Sequence, residues 1–320
     1  MPCSTAARER HDPMLGTAPP QQRFLLVEQD SGWAFSGFSS LAIQEDIRDE
    51  VLRRAETAGA RVMLIRRPGR QTSSVCLMRS WCVVDPQAPA GERVTWGSWS
   101  YPAELLSGVE RLEELVARDS ARAEQGLGRQ LVDGARESLV DEPLILVCTH
   151  GKKDPCCAVR GRPVAKMLAQ RWPEQTWECS HTGGDRFAAN VLLLPDGATY
   201  GSLDVESAFA TIEAHRAGRP DITHLRGVTG HRRAVQAAVV AVHEQLGPLP
   251  WGSVTATGMT QRAPAEGEVT AFTVSLELAD GRLVEVEVGE HHGAPAQLTC
   301  RSEGGKVSQV PVPGEVRFVS

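Results

Sequence analysis

Residues 144–201 read LILVCTHGKKDPCCAVRGRPVAKMLAQRWPEQTWECSHTGGDRFAANVLLLPDGATYG, and the order of apolar runs, turns and stripes within them decides the fold. LILVC (144–148) is a short continuous apolar run of the kind buried on both faces of a sheet. From about Arg162, the residues Val164, Met167, Leu168 and Trp172 recur at helical spacing, with Pro163 in the first turn, a position proline tolerates. TWECS (176–180) predicts the next strand, and NVLLLPDGATYG (190–201) a strand pair hinged at Pro195-Asp196-Gly197. Val205, Phe209 and Ile212 then line a helix over about 203–216, with Gly218 beyond its end, and a further amphipathic helix covers 231–246. Strand, loop, helix, three strands and helix is the thioredoxin-like order, so the expected class is α/β.

Working outward, residues 23–82 repeat part of that pattern. RFLLVEQ (23–29), RVMLIRR (61–67) and SVCLM (74–78) predict strands, and Ile43, Ile47 and Val51 mark a helix over 42–55. Leu105, Val109 and Leu112 mark another helix near 103–118, followed by a polar helical stretch to about 138. The expected organisation is a flexible tail (1–20), an N-terminal α/β domain that is a degenerate thioredoxin-like repeat (21–140), a thioredoxin-like domain that carries the chemistry-bearing residues (141–250) and a small β subdomain (251–320). The last expectation rests on VTAFTVSLELADGRLVEVEVGE (269–290), which alternates about Asp280-Gly281 as a β-hairpin does.

The chemistry-bearing residues cluster in the quoted stretch. Four of the eight cysteines, Cys148, Cys156, Cys157 and Cys179, fall within 32 residues. Cys148 ends a strand, Cys157 follows nine residues on, and His181 and Asp185 flank a Thr-Gly-Gly loop whose Gly183 and Gly184 let backbone approach a bulky group. A thioredoxin-like fold brings both loops to one end of the sheet. Two thiolates and two further donors at loop tips suit an Fe–S rhombus. They also suit tetrahedral zinc. A thiol oxidoreductase is the third option, since Cys157 stands where a helix N-terminus depresses thiol pKa, but no C-x-x-C occurs.

The same residues resemble the sucrase/ferredoxin-like family of thioredoxin-like ferredoxins, whose pattern is C-x8-C followed by H-x3-H in a glycine-containing loop, an apolar strand and a Tyr-Gly turn. Cys148, Cys157, His181, Arg186, Phe187, Asn190 and Tyr200-Gly201 stand at matching positions. A more distant similarity is to the small [2Fe–2S] subunit of respiratory NADH dehydrogenase, where x3 spacing also marks a ligand pair. The resemblance implies a [2Fe–2S] cluster, an electron-transfer role rather than catalysis on a substrate of its own, and redox partner proteins as donor and acceptor.

Asp185 replaces the family's second histidine, and three readings stay open: Asp185 is an oxygen ligand, Cys156 or Cys179 substitutes, or the cluster is lost. His150 is expected to orient its loop. Cys76 and Cys82 are expected in sheet or core, Cys3 and Cys300 to be incidental, and His291-His292 to lie in a surface turn. The basic residues Lys152, Lys153, Arg160, Arg162, Lys166 and Arg186 are either a solvated helix start or a docking face for an acidic redox partner, with Arg186 also placed to pair with Asp185.

Composition removes other classes. With 41% hydrophobic and 23% charged residues the chain is an ordinary globular protein, and its net charge of -6 argues against nucleic acid as a partner. No apolar run reaches the roughly 20 residues of a membrane span, and MPCSTAARERHDP lacks a signal sequence's apolar core, so the expected location is cytoplasmic. No P-loop, nucleophile-elbow or zincin motif occurs, and no carboxylate pair has a glycosidase context.

Overall fold

In the computed structural model, which describes residues 1–69, 78–124, 131–132, 141–302 and 305–319, the chain opens with a helix, α1 (Cys3–Glu9). A polar tail is expected here, but Cys3, Ser4, Ala6 and Ala7 are small enough to bury together and dock the segment. The first half continues as β1 (Arg23–Glu28), α2 (Glu45–Thr57), β2 (Ala60–Arg66), β3 (Arg79–Val84), β4 (Val94–Trp99) and α3 (Leu105–Glu124). β1 is apolar on both faces and lies between β2, which it pairs in parallel, and the antiparallel β3. Leu105, Val109 and Leu112 of α3 face the core, as their spacing predicts.

Most of the strand expected over 74–78, with Cys76, lies outside the described residues; Cys82 is buried in β3. The helical stretch expected to about 138 also falls largely outside them. Its described piece is β5 (Leu131–Val132), which is extended and pairs with a later strand.

The second half is β6 (Leu144–Cys148), α4 (Pro155–Arg171), β7 (Thr176–Cys179), β8 (Val191–Leu194), β9 (Ala198–Tyr200) and α5 (Val205–Arg216), then β10 (Leu225–Val228) and α6 (Arg233–Leu246). α4 starts seven residues before Arg162, because Asp154 caps it by accepting from Cys156 N (2.9 Å) and Pro155 supplies a first residue of preset φ. Pro163 therefore lies inside the helix, and Cys157 belongs to its first turn rather than preceding it.

The strands form one nine-stranded sheet in the order β10-β9-β8-β6-β7-β2-β1-β3-β4. Within it, β7-β6-β8-β9 reproduces β2-β1-β3-β4 in order and direction, and the halves meet where β2 and β7 pair antiparallel at Ile65–Cys179 and Arg66–Glu178. The two halves thus share one strand topology.

The C-terminal strands β11 (Val254–Arg262), β12 (Thr270–Leu278), β13 (Leu283–His292) and β14 (Gln309–Val319) form a second, antiparallel sheet with β5. β12 and β13 are the hairpin expected about Asp280-Gly281, and β13 extends through His291 and His292, which therefore end a strand instead of forming a turn. The nearly all-buried α6 packs this sheet against the main one, so Ile145, Val191, Val240, Val274 and Val286 share one core.

Candidate metal centre

The end of β6 and the start of α4 place Cys148 and Cys157 side by side. Their approach depends on Gly161: a Cβ there would stand 2.1 Å from the Cys148 carbonyl oxygen, so only glycine lets α4 lie on the strand end. From the neighbouring strand, the loop after β7 brings His181 over the same spot. Gly183 and Gly184 (φ +88° and +73°) turn the chain through the left-handed region, and Asp185 starts the 3-10 turn Asp185–Phe187.

The four side chains make a closed ring. Cys157 Sγ lies 3.2 Å from Asp185 Oδ1, and Asp185 Oδ1 lies 3.0 Å from His181 Nδ1. Cys148 Sγ completes it, within 4.8 Å of the donor atoms of Cys157 and His181. Cys148, Cys157 and His181 each offer a donor atom within 4.8 Å of the other two. Asp185 stands outside that tight set, against Cys157 and His181. Both thiols are buried, whereas the His181 side chain is 24% exposed, making it the ring's contact with solvent.

Burial and mutual contact set the protonation of the ring. The hydrogen bond from Cys157, aided by His181 and the His150 backbone N–H, outweighs burial and holds Cys148 well below the usual thiol range. Cys157, facing that thiolate and buried, is pushed far up. Burial alone would depress His181, but Asp185 and Cys148 raise it to about 9. Burial would lift Asp185, yet His181 and Cys157 hold it below the ordinary carboxylate value. The ring's shared protons thus favour Cys157 and His181, and a cation bound by these donors would displace them.

His181 Nδ1 is a buried atom without an aligned hydrogen bond: Asp185 is at ion-pair distance, but not in line with the ring N–H. A buried imidazole nitrogen without an aligned hydrogen bond, beside two thiols and a carboxylate, fits a metal or cluster that takes soft and borderline donors.

The loops are held by residues that motif spacing did not reveal. Arg226 of β10, 1% exposed, donates to Gly183 O (3.1 Å), Asn190 Oδ1 (2.8 Å), Thr17 Oγ1 (3.0 Å) and Thr17 O; Asn190 in turn donates to Gly184 O (3.0 Å). A Cβ on Gly184 would stand 2.3 Å from Arg226 Nη2, so the loop's second glycine is required by contact as well as by φ. Arg61 of β2 donates to His181 O (2.6 Å), which brings the first half of the chain into the site. His150 accepts from His181 N through Nδ1 (3.3 Å) and bonds Ala34 O through Nε2 (2.8 Å), tying both loops to the segment after β1. It orients its loop, as expected.

The remaining sequence candidates separate. Cys179 is Cys148's partner in strand register and is buried in the same core cluster, outside the group of three close donors. Cys156, although adjacent to Cys157, belongs to a different group with Cys3, Asp154 and Cys300. Arg186 approaches Asp12 (3.4 Å) and lies over the Phe187 ring; its pairing partner is Asp12 in place of Asp185. Of the other basic residues, Arg160 donates to Ser4 and Thr5, Lys153 sits over Phe35, and Lys152, Arg162 and Lys166 are exposed.

Among the described residues no helix is long and apolar enough to cross a membrane. The family model described as sucrase/ferredoxin-like matches residues 14–227, which spans both halves of the main sheet and all four ring residues. Neither a curated protein nor a solved structure matches the chain.

Proposed function

The chain belongs to the sucrase/ferredoxin-like family, and on that premise we propose that it is a one-electron carrier whose [2Fe–2S] cluster is held by Cys148, Cys157, His181 and Asp185. The observation that carries this reading is the ring itself: a thiol pair facing an imidazole–carboxylate pair, with His181 Nδ1 buried and out of line with the Asp185 oxygen it faces. A cluster bound there supplies one-electron transfer at a potential set by its ligands. Asp185 in place of a neutral imidazole adds negative charge and lowers that potential. His181, the exposed member, is the route for electrons to a partner, and Lys152, Arg162 and Lys166 offer charge to an acidic one. Residues 141–250 are the cluster-bearing unit and 21–140 its degenerate repeat, which supplies Arg61 and Ala34 as supports.

A second reading, a single tetrahedral zinc ion, is favoured by one observation. The three closest donors lie within 4.8 Å of one another, as donors do around one ion, whereas a two-iron rhombus needs its two ligand pairs set further apart. EPR of the reduced protein beside Asp185→Ala, Cys156→Ala and Cys179→Ala tests the ligand assignment. Only Asp185→Ala is expected to change the g-values. An unchanged spectrum and cluster lifetime in that variant, with a change in either cysteine variant, would overturn it.

A further inference from the structure

Three cysteines that share no motif meet at one point. Cys3 comes from the start of α1, Cys156 from the first turn of α4, and Cys300 from the turn between β13 and β14. Their sulfurs are separated by 3.7 Å (Cys3–Cys156), 3.2 Å (Cys156–Cys300) and 3.5 Å (Cys300–Cys3). The Asp154 carboxylate closes the figure, its oxygens 3.7 and 3.8 Å from Cys3 Sγ. Four donors around one ion at a metal–sulfur distance of about 2.3 Å form a tetrahedron with edges of about 3.8 Å. The observed separations approach those edges and are far from the ~2.05 Å of a disulfide.

The alternative is an apolar knot of thiols beside a helix cap, and the convergence of an oxygen donor with three sulfurs decides against it. Asp154 is 0% exposed and caps α4. Its oxygens accept from the backbone N–H groups of Cys156 (2.9 Å) and Cys300 (2.7 Å) and from the Cys3 thiol, which together orient the carboxylate towards the sulfurs. One donor atom from the buried carboxylate and one from each of the three sulfurs lie within 4.8 Å of one another, an arrangement that suits a single cation held by oxygen and thiolate ligands. The Cys3 N–H, 3.4 Å from Cys300 Sγ, is the kind of backbone donor that steadies a metal thiolate. Cys300 is only partly buried and, with Cys156, walls a surface cavity, which gives an ion a way in.

We propose that Cys3, Cys156, Cys300 and Asp154 form a second metal site that takes one zinc-class divalent cation, independent of whatever occupies the Cys148 ring. Bound there, the ion clamps the N-terminal helix and the β13–β14 turn to the start of α4, and so fixes the turn from which Cys157 projects. The adjacent cysteines 156 and 157 divide between two sites.

The test is zinc content of the full-length protein, purified with zinc in the medium, for wild type, Cys3→Ser, Cys300→Ser and Cys148→Ser. One equivalent is expected to be lost in Cys3→Ser and in Cys300→Ser, and retained in Cys148→Ser. Cobalt(II) is expected to give thiolate charge-transfer and tetrahedral d–d bands that the same two variants abolish. Zinc-edge EXAFS on wild type needs no variant to fold: three sulfurs and one oxygen support the site. A two-sulfur shell containing imidazole, zinc unchanged by Cys3→Ser, or a wild-type mass two units low from a Cys156–Cys300 disulfide would each overturn it.

Discussion

Replacing Arg226 by methionine is expected to unfasten the His181–Asp185 loop while leaving the sheet intact. Methionine fills similar volume, so the perturbation is mainly polar: Gly183 O, Asn190 Oδ1, Thr17 O and Thr17 Oγ1 lose their donor at a site that is 1% exposed. Hydrogen bonds to a charged group contribute roughly 1.5–3 kcal/mol each, so a bare sum would overshoot. Part of that sum offsets the cost of burying the guanidinium, whose pKa burial has pulled down to about 10. A buried neutral acceptor left without its donor costs about 1–3 kcal/mol, and with the relieved burial of the guanidinium set against four of them the expected net loss of stability is about 3 kcal/mol. Because two of the four acceptors lie on or beside the loop, cofactor retention should fall further than stability alone requires. Urea unfolding gives the first quantity and iron per folded chain the second. A variant within about 1 kcal/mol of wild type, with undiminished iron, would refute the claim that Arg226 holds the loop.

Further outcomes follow from the ring and its packing. In metal-free protein His181 should titrate near pH 9 by NMR. Asp185→Asn removes the carboxylate that favours the imidazolium, so the midpoint should fall towards that of an ordinary histidine; an unchanged midpoint would contradict the 3.0 Å contact. In loaded protein, a proton gained by the His181 ligand on reduction makes the potential fall as pH rises, by up to about 59 mV per unit, and a flat line from about pH 6 to 9 excludes such coupling. Gly161→Ala should lift α4 from the end of β6, since the added methyl meets Cys148 O at 2.1 Å, and weaken both metal content and stability by about 1–3 kcal/mol; wild-type behaviour would show that the helix can slide.

Much of this architecture was legible in the chain because strands such as 144–148 and 190–201 carry unambiguous apolar runs and turn residues. The start of α4 was misplaced because Pro163 resembles a helix beginning, whereas the stronger signal was Asp154-Pro155, a cap followed by a first-turn proline. Cys148, Cys157 and His181, which local spacing singles out, do come together, because the two loops that carry them end neighbouring strands. Cys3, Cys156, Asp154 and Cys300 were not singled out as a set, because the separation of residues 3, 154–156 and 300 carries no spacing rule and only the docked α1 and the β13–β14 turn bring them together. Arg61 and Arg226 were invisible for a related reason. A single arginine within an apolar strand looks alike whether it reaches solvent or, as here, backbone carbonyls of a distant loop.

The most direct test of the central claim is iron and acid-labile sulfide per chain, measured anaerobically on wild type and Cys157→Ser and paired with EPR of the reduced protein. The account predicts two irons and two sulfides with a rhombic signal in wild type, and loss of all three in the variant. A wild-type protein that holds only zinc, or whose iron survives Cys157→Ser, contradicts it.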